Sequence, residues 1–217
     1  SFPAPLVLAL MINEVRSRRF KKVVQTVSYM PYFISMVVMC GLLKTFCMQD
    51  GLFSQIAMAF GGSGQNFLAN PDYFRTIYVL SDIWSGIGWN SIIYLAALSS
   101  IDQEQYEAAR VDGANRFKQM IHITLPGLVP TIMVLFILRM GNILNVGYEK
   151  ILLLYNSATY ITADVISTYT YRLSFGGSGN PMYSKSTAIG LFNTIINVFF
   201  LMLTNMISKK ATDAGLF

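Results

Sequence analysis

Long apolar runs separated by shorter polar segments make up most of the 217-residue chain. A helix needs about 20 mostly apolar residues to cross the hydrocarbon core of a bilayer. The pattern therefore predicts an all-α integral membrane protein, a polytopic bundle of helices. We expect spans at about these positions: 27–48, 76–98, 127–147 and 186–207. An apolar run at 1–13 is too short to cross, and we interpret it as the end of a span that begins before this sequence, which makes the chain N-terminally incomplete.

Composition supports a membrane protein, because 53% of the residues are hydrophobic and only 12% are charged. Soluble domains contain about 25% charged residues. The net charge of +5 could suggest nucleic-acid binding, but the basic residues form short clusters beside apolar segments and not a polar domain. We therefore expect the lipid bilayer, and no nucleic acid, as a partner.

Basic residues predict the orientation of the spans. They cluster at 16–22, at 110–118 and at 209–210. Because Lys and Arg are enriched in cytoplasmic loops, these segments are predicted to be cytoplasmic. The opposite loops, 49–75 and 148–185, contain Gly- and Pro-rich turn signals and would face outward. Each basic cluster fits either simple topological anchoring or a lipid-specific site.

One long polar segment, at about 99–125, lies between two predicted spans. Asp102 is placed to cap a first short helix, Gly113 to end it in a turn with positive φ, and Asn115 to cap a second helix. Pro126 is expected to end that second helix, because the residue before a proline disfavours helical dihedrals. The product would be a compact cytoplasmic element. It would either dock a partner protein or anchor the chain as an amphipathic interfacial hairpin.

Several residues of this segment occur in an order and spacing typical of one family: Glu107-Ala108-Ala109, Asp112-Gly113-Ala114, Phe117, Ile123, Leu125-Pro126 and Pro130. They resemble the EAA loop in permease subunits of binding-protein-dependent (type I) ABC importers. Further segments extend the resemblance to the carbohydrate branch, where permeases for aldouronate and other oligosaccharides look nearest. These segments are Asn13-Glu14, Tyr29-Met30-Pro31-Tyr32, Trp84 and Glu149-Lys150-Ile151.

The resemblance implies a single permease domain over 1–217 with the MetI-like fold, which normally has more spans than this chain offers. It implies a bacterial cell-membrane protein that forms the pathway of an ATP-driven importer for a carbohydrate, specifically an oligosaccharide. The implied partners are an ABC ATP-binding subunit, a second related permease and an extracellular solute-binding protein. The alternative is a secondary transporter or channel that works without ATP, although the inverted repeats or dense charge relay of such proteins are not seen in the sequence.

In the family that this chain resembles, the EAA loop sits in a cleft of the ATP-binding subunit and transmits ATP-driven motion to the pore. Matching residues imply the coupling set Glu107, Ala108, Ala109, Asp112 and Gly113, to which we add Arg110 and Arg116 as charged contacts. The chain has no Gly-x-x-x-x-Gly-Lys-Ser/Thr phosphate loop. We therefore expect no catalytic residue, no metal site and no cofactor bound by this chain, with ATP and Mg held by the partner subunit.

Polar and aromatic residues in or beside the predicted spans are candidates for the substrate path: Asp82, Trp84, Asn90, Arg139, Asn142 and Glu149. Polar groups at membrane depth are costly unless they face protein, water or ligand. Arg139 would either pair with a neighbouring helix or bind an acidic sugar. Trp84 would stack on a sugar ring or anchor at the interface, and Glu149 would act near the outer mouth as a gate or docking contact.

Overall fold

The computed structural model describes residues 1–176, 181–212 and 215–216. Regular structure within these residues is helical, as predicted, and comprises twelve α-helices: α1 Pro3–Glu14, α2 Arg18–Tyr29, α3 Met36–Cys47, α4 Leu52–Ala59, α5 Pro71–Ser99, α6 Gln103–Val111, α7 Arg116–Gln119, α8 Leu125–Met140, α9 Tyr148–Leu154, α10 Tyr160–Ala163, α11 Ile166–Phe175 and α12 Tyr183–Thr212. Short 3-10 helices cover Met30–Phe33 and Phe67–Ala69, and a π-helical turn covers Met120–Thr124. The glycine-rich turn expected in the second outer loop, at 177–180, lies outside the described residues.

Three stretches of the described chain are long and apolar enough to cross a membrane: Met36–Ala59, Arg116–Met140 and Tyr183–Lys210. Helix α5, with 29 residues, covers the predicted segment 76–98. The apolar face of α12 is largely exposed, with Leu191, Phe192 and Ile195 each at least 59% accessible. Such exposure in a long apolar helix fits contact with lipid or with other membrane helices.

The segment 27–48, predicted as one span, is not one helix. Helix α2 ends at Tyr29, and α3 begins only at Met36. Pro31 has no N–H to donate to the carbonyl four residues earlier, so the α-helical ladder stops there. Ser35 then starts α3, since its Oγ accepts the N–H of Val38 at 3.4 Å.

The segment predicted at 127–147 also ends earlier, because α8 stops at Met140. Gly141 comes next, and a Cβ on it would lie 2.7 Å from Cδ1 of Leu201, so a larger residue here would require the Leu201 side chain on α12 to move. Asn142 donates from Nδ2 to the carbonyl of Leu138 at 3.2 Å and so satisfies one of the last carbonyls of α8. Gly141 and Asn142 therefore lie at the end of the helix, before the predicted limit at 147.

The described chain divides into two compact units. The first comprises Ser1–Met30, Gly86–Asn142 and Asn197–Phe217. Its buried core joins residues of α1, α5 and α8: Ala9, Tyr94, Leu98 and Leu128. A Cβ on Gly127 would lie 2.8 Å from Cδ1 of Ile101, so this glycine lets the start of α8 pack against the residues that come after α5.

The second unit comprises Pro31–Ser85 and Ile143–Ile196. Its core is formed mainly by α3, α5 and α9, with these residues buried: Met39, Cys40, Leu43, Cys47, Leu68, Phe74, Ile151, Leu154 and Ala163. Cys40 and Cys47 are both free thiols inside this core. Both side chains contribute to the apolar packing of this core. Helices α5 and α12 each contribute residues to both units.

Candidate functional site

Helix α6 begins and ends with local hydrogen bonds that the sequence predicts. Asp102 Oδ1 accepts the N–H of Glu104 at 3.0 Å. Gly113 has a φ of +73°. Its N–H donates to the carbonyl of Arg110 at 3.1 Å, and the N–H of Ala114 donates to the carbonyl of Ala109 at 2.8 Å. This pair of bonds is a Schellman cap, so the predicted glycine turn is confirmed.

A second helix starts immediately after this turn. Asn115 Oδ1 accepts the N–H of Lys118 at 2.9 Å, which confirms Asn115 as the cap of α7. The prediction that Pro126 ends this helix is wrong. The helical path widens into the π turn at Met120–Thr124 and continues as α8 to Met140.

Proline fits this path for a physical reason. Pro126 is the second residue of α8 and has no N–H that would need a partner in the preceding turn. The π turn provides the adjustment, since the N–H of Leu125 bonds the carbonyl of Met120. Residues 116–140 therefore form one continuous helical path.

Three contacts hold the two short helices in place within the first unit. The hydroxyls of Tyr106 and Thr124 lie 3.0 Å apart and join α6 to the π turn. Gln119 donates from Nε2 to the carbonyl of Ala114 at 2.8 Å. Arg116 contacts the last residue of α1, with Nη1 3.3 Å from Oε2 of Glu14 and 3.3 Å from its backbone carbonyl.

We call residues 102–119 the coupling segment. Of its predicted contact residues, Glu107, Ala108, Arg110, Asp112 and Gly113 are exposed, whereas Ala109 is half-buried. Arg116 keeps 54% of its side chain accessible despite its pair with Glu14. The segment thus offers charged and small side chains on its surface, and these residues remain a predicted docking set.

Two apolar residues of this surface stand out. Val111 is 89% exposed and Phe117 is 63% exposed, one on each side of the glycine turn. Sequence periodicity places Phe117 in an apolar stripe of the second helix, with Met120, Ile121 and Thr124, and does not single out Val111. The exposure of Val111 depends on the direction of the turn, which periodicity does not give. Contact with a partner would remove the apolar area of these two side chains from water, which is favourable.

A polar cleft of about 710 Å³ lies beside the coupling segment within the first unit. Its lining comes from the end of α1 and from α5, α6 and α7: Asn13, Glu14, Arg16, Leu98, Gln103, Tyr106, Arg110, Ala114, Asn115, Arg116 and Gln119. Three arginines face one glutamate in this lining, so the cleft carries net positive charge.

The candidate substrate-path residues fall in both units. Asn90, Arg139 and Asn142 belong to the first unit, and Asp82, Trp84 and Glu149 to the second. Arg139 is the penultimate residue of α8, not a mid-span residue, because α8 ends at Met140. Its Nη2 lies 3.5 Å from Oγ of Ser1, at the limit of a hydrogen bond.

The positions of the others also depend on the observed helix limits. Asn142 lies beyond the end of α8, and Glu149 is exposed at the start of α9. Trp84 and Asn90 lie on α5, where both are exposed. In the second unit the structure brings Asp82 near a lysine that the sequence pattern places in the outer loop.

That residue, Lys150, is 2% exposed. Its Nζ donates to the carbonyl of Tyr78 at 3.1 Å, lies 4.5 Å from the centroid of the Tyr78 ring and is 3.9 Å from Oδ1 of Asp82. Burial lowers the pKa of Lys150, and the negative charge of Asp82 partly opposes that shift. Asp82 is therefore an internal partner of a buried cation, although its side chain remains 46% accessible.

Comparison with known proteins finds a matching protein family and similar relatives. Residues 1–213 match the family described as binding-protein-dependent transport system inner membrane component. The chain is 43% identical to Protein LplB of Bacillus subtilis (strain 168), with 100% of this chain and 68% of that protein covered. It is 42% identical to the polygalacturonan/rhamnogalacturonan transport system permease protein YteP of the same organism, covering 100% of this chain and 67% of that protein. The chain thus spans about two thirds of these relatives.

Solved structures agree. A bacterial ABC transporter involved in the import of the acidic polysaccharide alginate is 47% identical, with a TM-score of 0.93 over 97% of this chain and 73% of that chain. A bacterial alginate ABC transporter in complex with an alginate pentasaccharide-bound periplasmic protein is 46% identical, with a TM-score of 0.94 over 99% of this chain and 74% of that chain.

Proposed function

We propose that this chain, which belongs to the family of binding-protein-dependent transport system inner membrane components, forms part of the import pathway for an acidic oligosaccharide. The chain is a multi-pass permease subunit of the inner membrane and has the all-α fold of ABC importer permeases. Membership in this family favours import by an ABC transporter over the alternative of a secondary transporter or channel.

The observation that carries the proposal is the continuous helical path from Arg116 to Met140. The coupling segment lies at its start, and Arg139 lies at its end, about 35 Å away at 1.5 Å per residue. Displacement of the coupling segment would therefore move a cationic side chain at the far end of the same helix. This arrangement links the coupling segment to a candidate substrate contact through one helical path.

The first part of the proposal concerns energy coupling. A separate ATP-binding subunit binds ATP and Mg and hydrolyses the ATP, and the coupling segment docks into that subunit. Val111 and Phe117 supply apolar contacts, while Glu107, Arg110 and Asp112 supply charged ones. The caps at Asp102, Gly113 and Asn115 support this role because they fix the ends of the two short helices.

The second part concerns the substrate and the remaining partners. A second related permease completes the pathway, and an extracellular solute-binding protein delivers the substrate. A solved relative imports the acidic polysaccharide alginate. A guanidinium binds carboxylates in a bidentate manner, so Arg139 is suited to an acidic sugar. Asp82, Trp84, Asn90, Asn142 and Glu149 remain further candidates for the path.

The test is uptake by the complete transporter in proteoliposomes that contain ATP, with its solute-binding protein supplying either an acidic oligosaccharide or the carboxyl-reduced analogue. The variant Arg139→Gln should lower uptake of the acidic substrate roughly tenfold and leave the neutral analogue nearly unchanged, since a lost charge-assisted contact costs about 1.5–3 kcal/mol. Arg139→Lys is the matched control that keeps the charge. Equal loss for both substrates would contradict a role of Arg139 in recognising the acid, and uptake without ATP would contradict the coupling proposal.

A further inference from the structure

Helix α2 has three distinct faces. Successive residues advance by about 100° around a helix, so residues three, four and seven apart share a face. One face is half-buried: Lys21, Val24, Gln25 and Ser28. A second is apolar and exposed, and it continues into the residue after the helix: Phe20, Val23, Val27 and Met30. The third is polar and exposed: Arg18, Arg19, Lys22 and Thr26.

The half-buried face attaches α2 to the first unit. A Cβ on Gly88 of α5 would collide with the backbone carbonyl of Ser28, so glycine at 88 lets the two helix backbones approach closely. This attachment fixes the rotation of α2 about its own axis. The apolar and the basic faces are therefore both turned away from the unit that holds the helix.

The apolar face has no cover within the described chain. Its four side chains are between 57% and 61% exposed. Six residues after Met30 the chain enters Met36–Ala59, which is long and apolar enough to cross a membrane. Chain connectivity therefore keeps α2 close to the end of a span, where acyl chains are available to an apolar stripe.

The charges beside the apolar face of α2 indicate which kind of ligand this region would bind. Five basic residues occur between 16 and 22, and the chain contains no Asp or Glu from 15 to 49. An uninterrupted positive segment next to an apolar face matches a surface that combines acyl chains with negative phosphates, as anionic phospholipids do. Long basic side chains can lie along the apolar boundary and extend their charged ends to the headgroups.

We propose that α2 enters the bilayer from its surface, where Arg18, Arg19 and Lys22 bind anionic phospholipid headgroups, with the apolar face of the helix among the acyl chains. The position of α2 connects this site to the coupling segment. Only Val15–Ser17 separate α2 from Glu14, the residue that pairs with Arg116. Bound anionic lipid therefore holds the element against which the coupling segment rests.

The placement of α2 is tested with nitroxide labels on the complete transporter in nanodiscs that contain phosphatidylcholine and phosphatidylglycerol. Labels are placed at Val27→Cys and, as the matched control one residue away on the polar face, at Thr26→Cys, with Cys40 and Cys47 replaced by alanine. Collisions with oxygen should exceed those with a water-soluble nickel chelate at 27, and the reverse should hold at 26. Low accessibility to both reagents at 27 would mean a protein cover, and high accessibility to nickel would mean water. Either result overturns the proposal.

Headgroup recognition is tested by titrating the purified complex in neutral detergent with phosphatidylglycerol and counting bound lipids by native mass spectrometry. Each basic residue near an anionic surface contributes about fivefold to binding, so Arg18→Gln/Arg19→Gln should raise the half-saturating lipid concentration at least fivefold. The control Lys44→Gln/Lys185→Gln removes two exposed charges of the second unit and should change it less than twofold. Equal shifts in both double variants, no shift in either, or full competition by inorganic phosphate at millimolar concentration would overturn the proposal.

Discussion

Two helices of the molecule end in the same backbone turn and lead to different structures. Helix α4 ends before Gly61, with a φ of +82°, and α6 ends before Gly113, with a φ of +73°. After α4 the N–H of Gly62 donates to the carbonyl of Ala57 at 2.8 Å, which matches the 2.8 Å bond from Ala114 to Ala109 after α6. Both ends are Schellman caps. The turn alone therefore does not define a coupling element.

The two turns differ in the structure to which each is joined on its C-terminal side. After Gly113, Asn115 caps a helical path that runs unbroken to Met140. After Gly61 the chain is irregular until Asn66 caps a single 3-10 turn. The turn at Gly113 is joined to a long continuous helix, and the turn at Gly61 leads into an exposed loop. Under the proposed function, coupling requires both the turn and the continuous helix, and matched substitutions at the two turns can separate stability from transport.

The largest effect is expected from replacing the two glycines by proline. Proline is fixed near a φ of −65° and cannot adopt either turn, so both variants should unfold at a lower temperature than the wild type. Only Gly113→Pro should also uncouple transport, with ATP-driven uptake per folded complex reduced roughly tenfold or more, the equivalent of about 1.4 kcal/mol. Proteoliposome uptake and thermal unfolding in detergent measure the two properties. Equal uptake in Gly113→Pro and Gly61→Pro would refute the assigned difference.

The next largest effect is expected from substitutions that break an ion pair, and it should differ between the two units. Arg172 binds Asp164 with two hydrogen bonds of 2.7 Å in the second unit, whereas Arg116 contacts the Glu14 carboxylate only once, at 3.3 Å and with greater exposure. Arg172→Gln should lower the free energy of unfolding by about 1.5–3 kcal/mol, and Arg116→Gln by about 0–1 kcal/mol. Denaturation in detergent measures both. A larger loss in Arg116→Gln would mean that the coupling segment is also a main source of stability.

The first of these pairs also predicts a pH dependence. Hydrogen bonds from Arg172 hold the pKa of Asp164 below its usual range. A depressed pKa contributes stability that is fully present above the carboxylate's ordinary pKa of about 4 and is lost as the pH falls through the lower folded value. The difference in unfolding temperature between wild type and Arg172→Gln should therefore shrink below about pH 4. A difference that grows on acidification would contradict this assignment.

A smaller effect should result from loss of the asparagine caps. Asn115→Ala and Asn66→Ala each remove one side-chain cap, at a cost of about 1 kcal/mol in stability. The uptake rate should fall about two- to fivefold in Asn115→Ala only, because that cap joins the turn to the helical path from Arg116 to Met140. Parallel losses of uptake in both variants would show that the cap acts through stability alone.

The smallest effect is expected for Tyr106→Phe. This change removes the 3.0 Å bond to Thr124 and keeps the ring, so stability should fall by about 0.5–1.5 kcal/mol. Uptake should fall by less than about threefold, since the helix from Arg116 onward remains continuous. A loss of uptake as large as that of Gly113→Pro would mean that this bond, and not the helical path, carries the motion.

Local rules account for the parts of the fold that can be predicted. Capping residues act on neighbours two to four positions away, so Asp102, Gly113 and Asn115 are identifiable from sequence, as is the all-α class from long apolar runs. The prediction for Pro126 fails because its rule allows two outcomes, a helix end or the first turn of a new helix, and the π turn decides between them.

Long-range contacts account for the rest. Lys150 is buried because Tyr78 and Asp82, about 70 residues away in sequence, provide a carbonyl, a ring and a carboxylate. A lysine in a polar-looking segment gives no local sign of this. The exposure of Val111 likewise depends on how α6 and α7 pack, which periodicity over nine residues does not specify.

Site-specific crosslinking tests the central claim most directly, because Val111 and Phe60 are both 89% exposed and each stands just before one of the two glycine turns. In a complete, transport-competent complex with Cys40 and Cys47 replaced by alanine, a short thiol crosslinker should join Val111→Cys to a cysteine in the cleft of the ATP-binding subunit, with a yield that changes on ATP addition. Phe60→Cys should give no such product. Failure of Val111→Cys to crosslink in an active complex, or equal crosslinking from both positions, would contradict the assignment of residues 102–119 as the coupling segment.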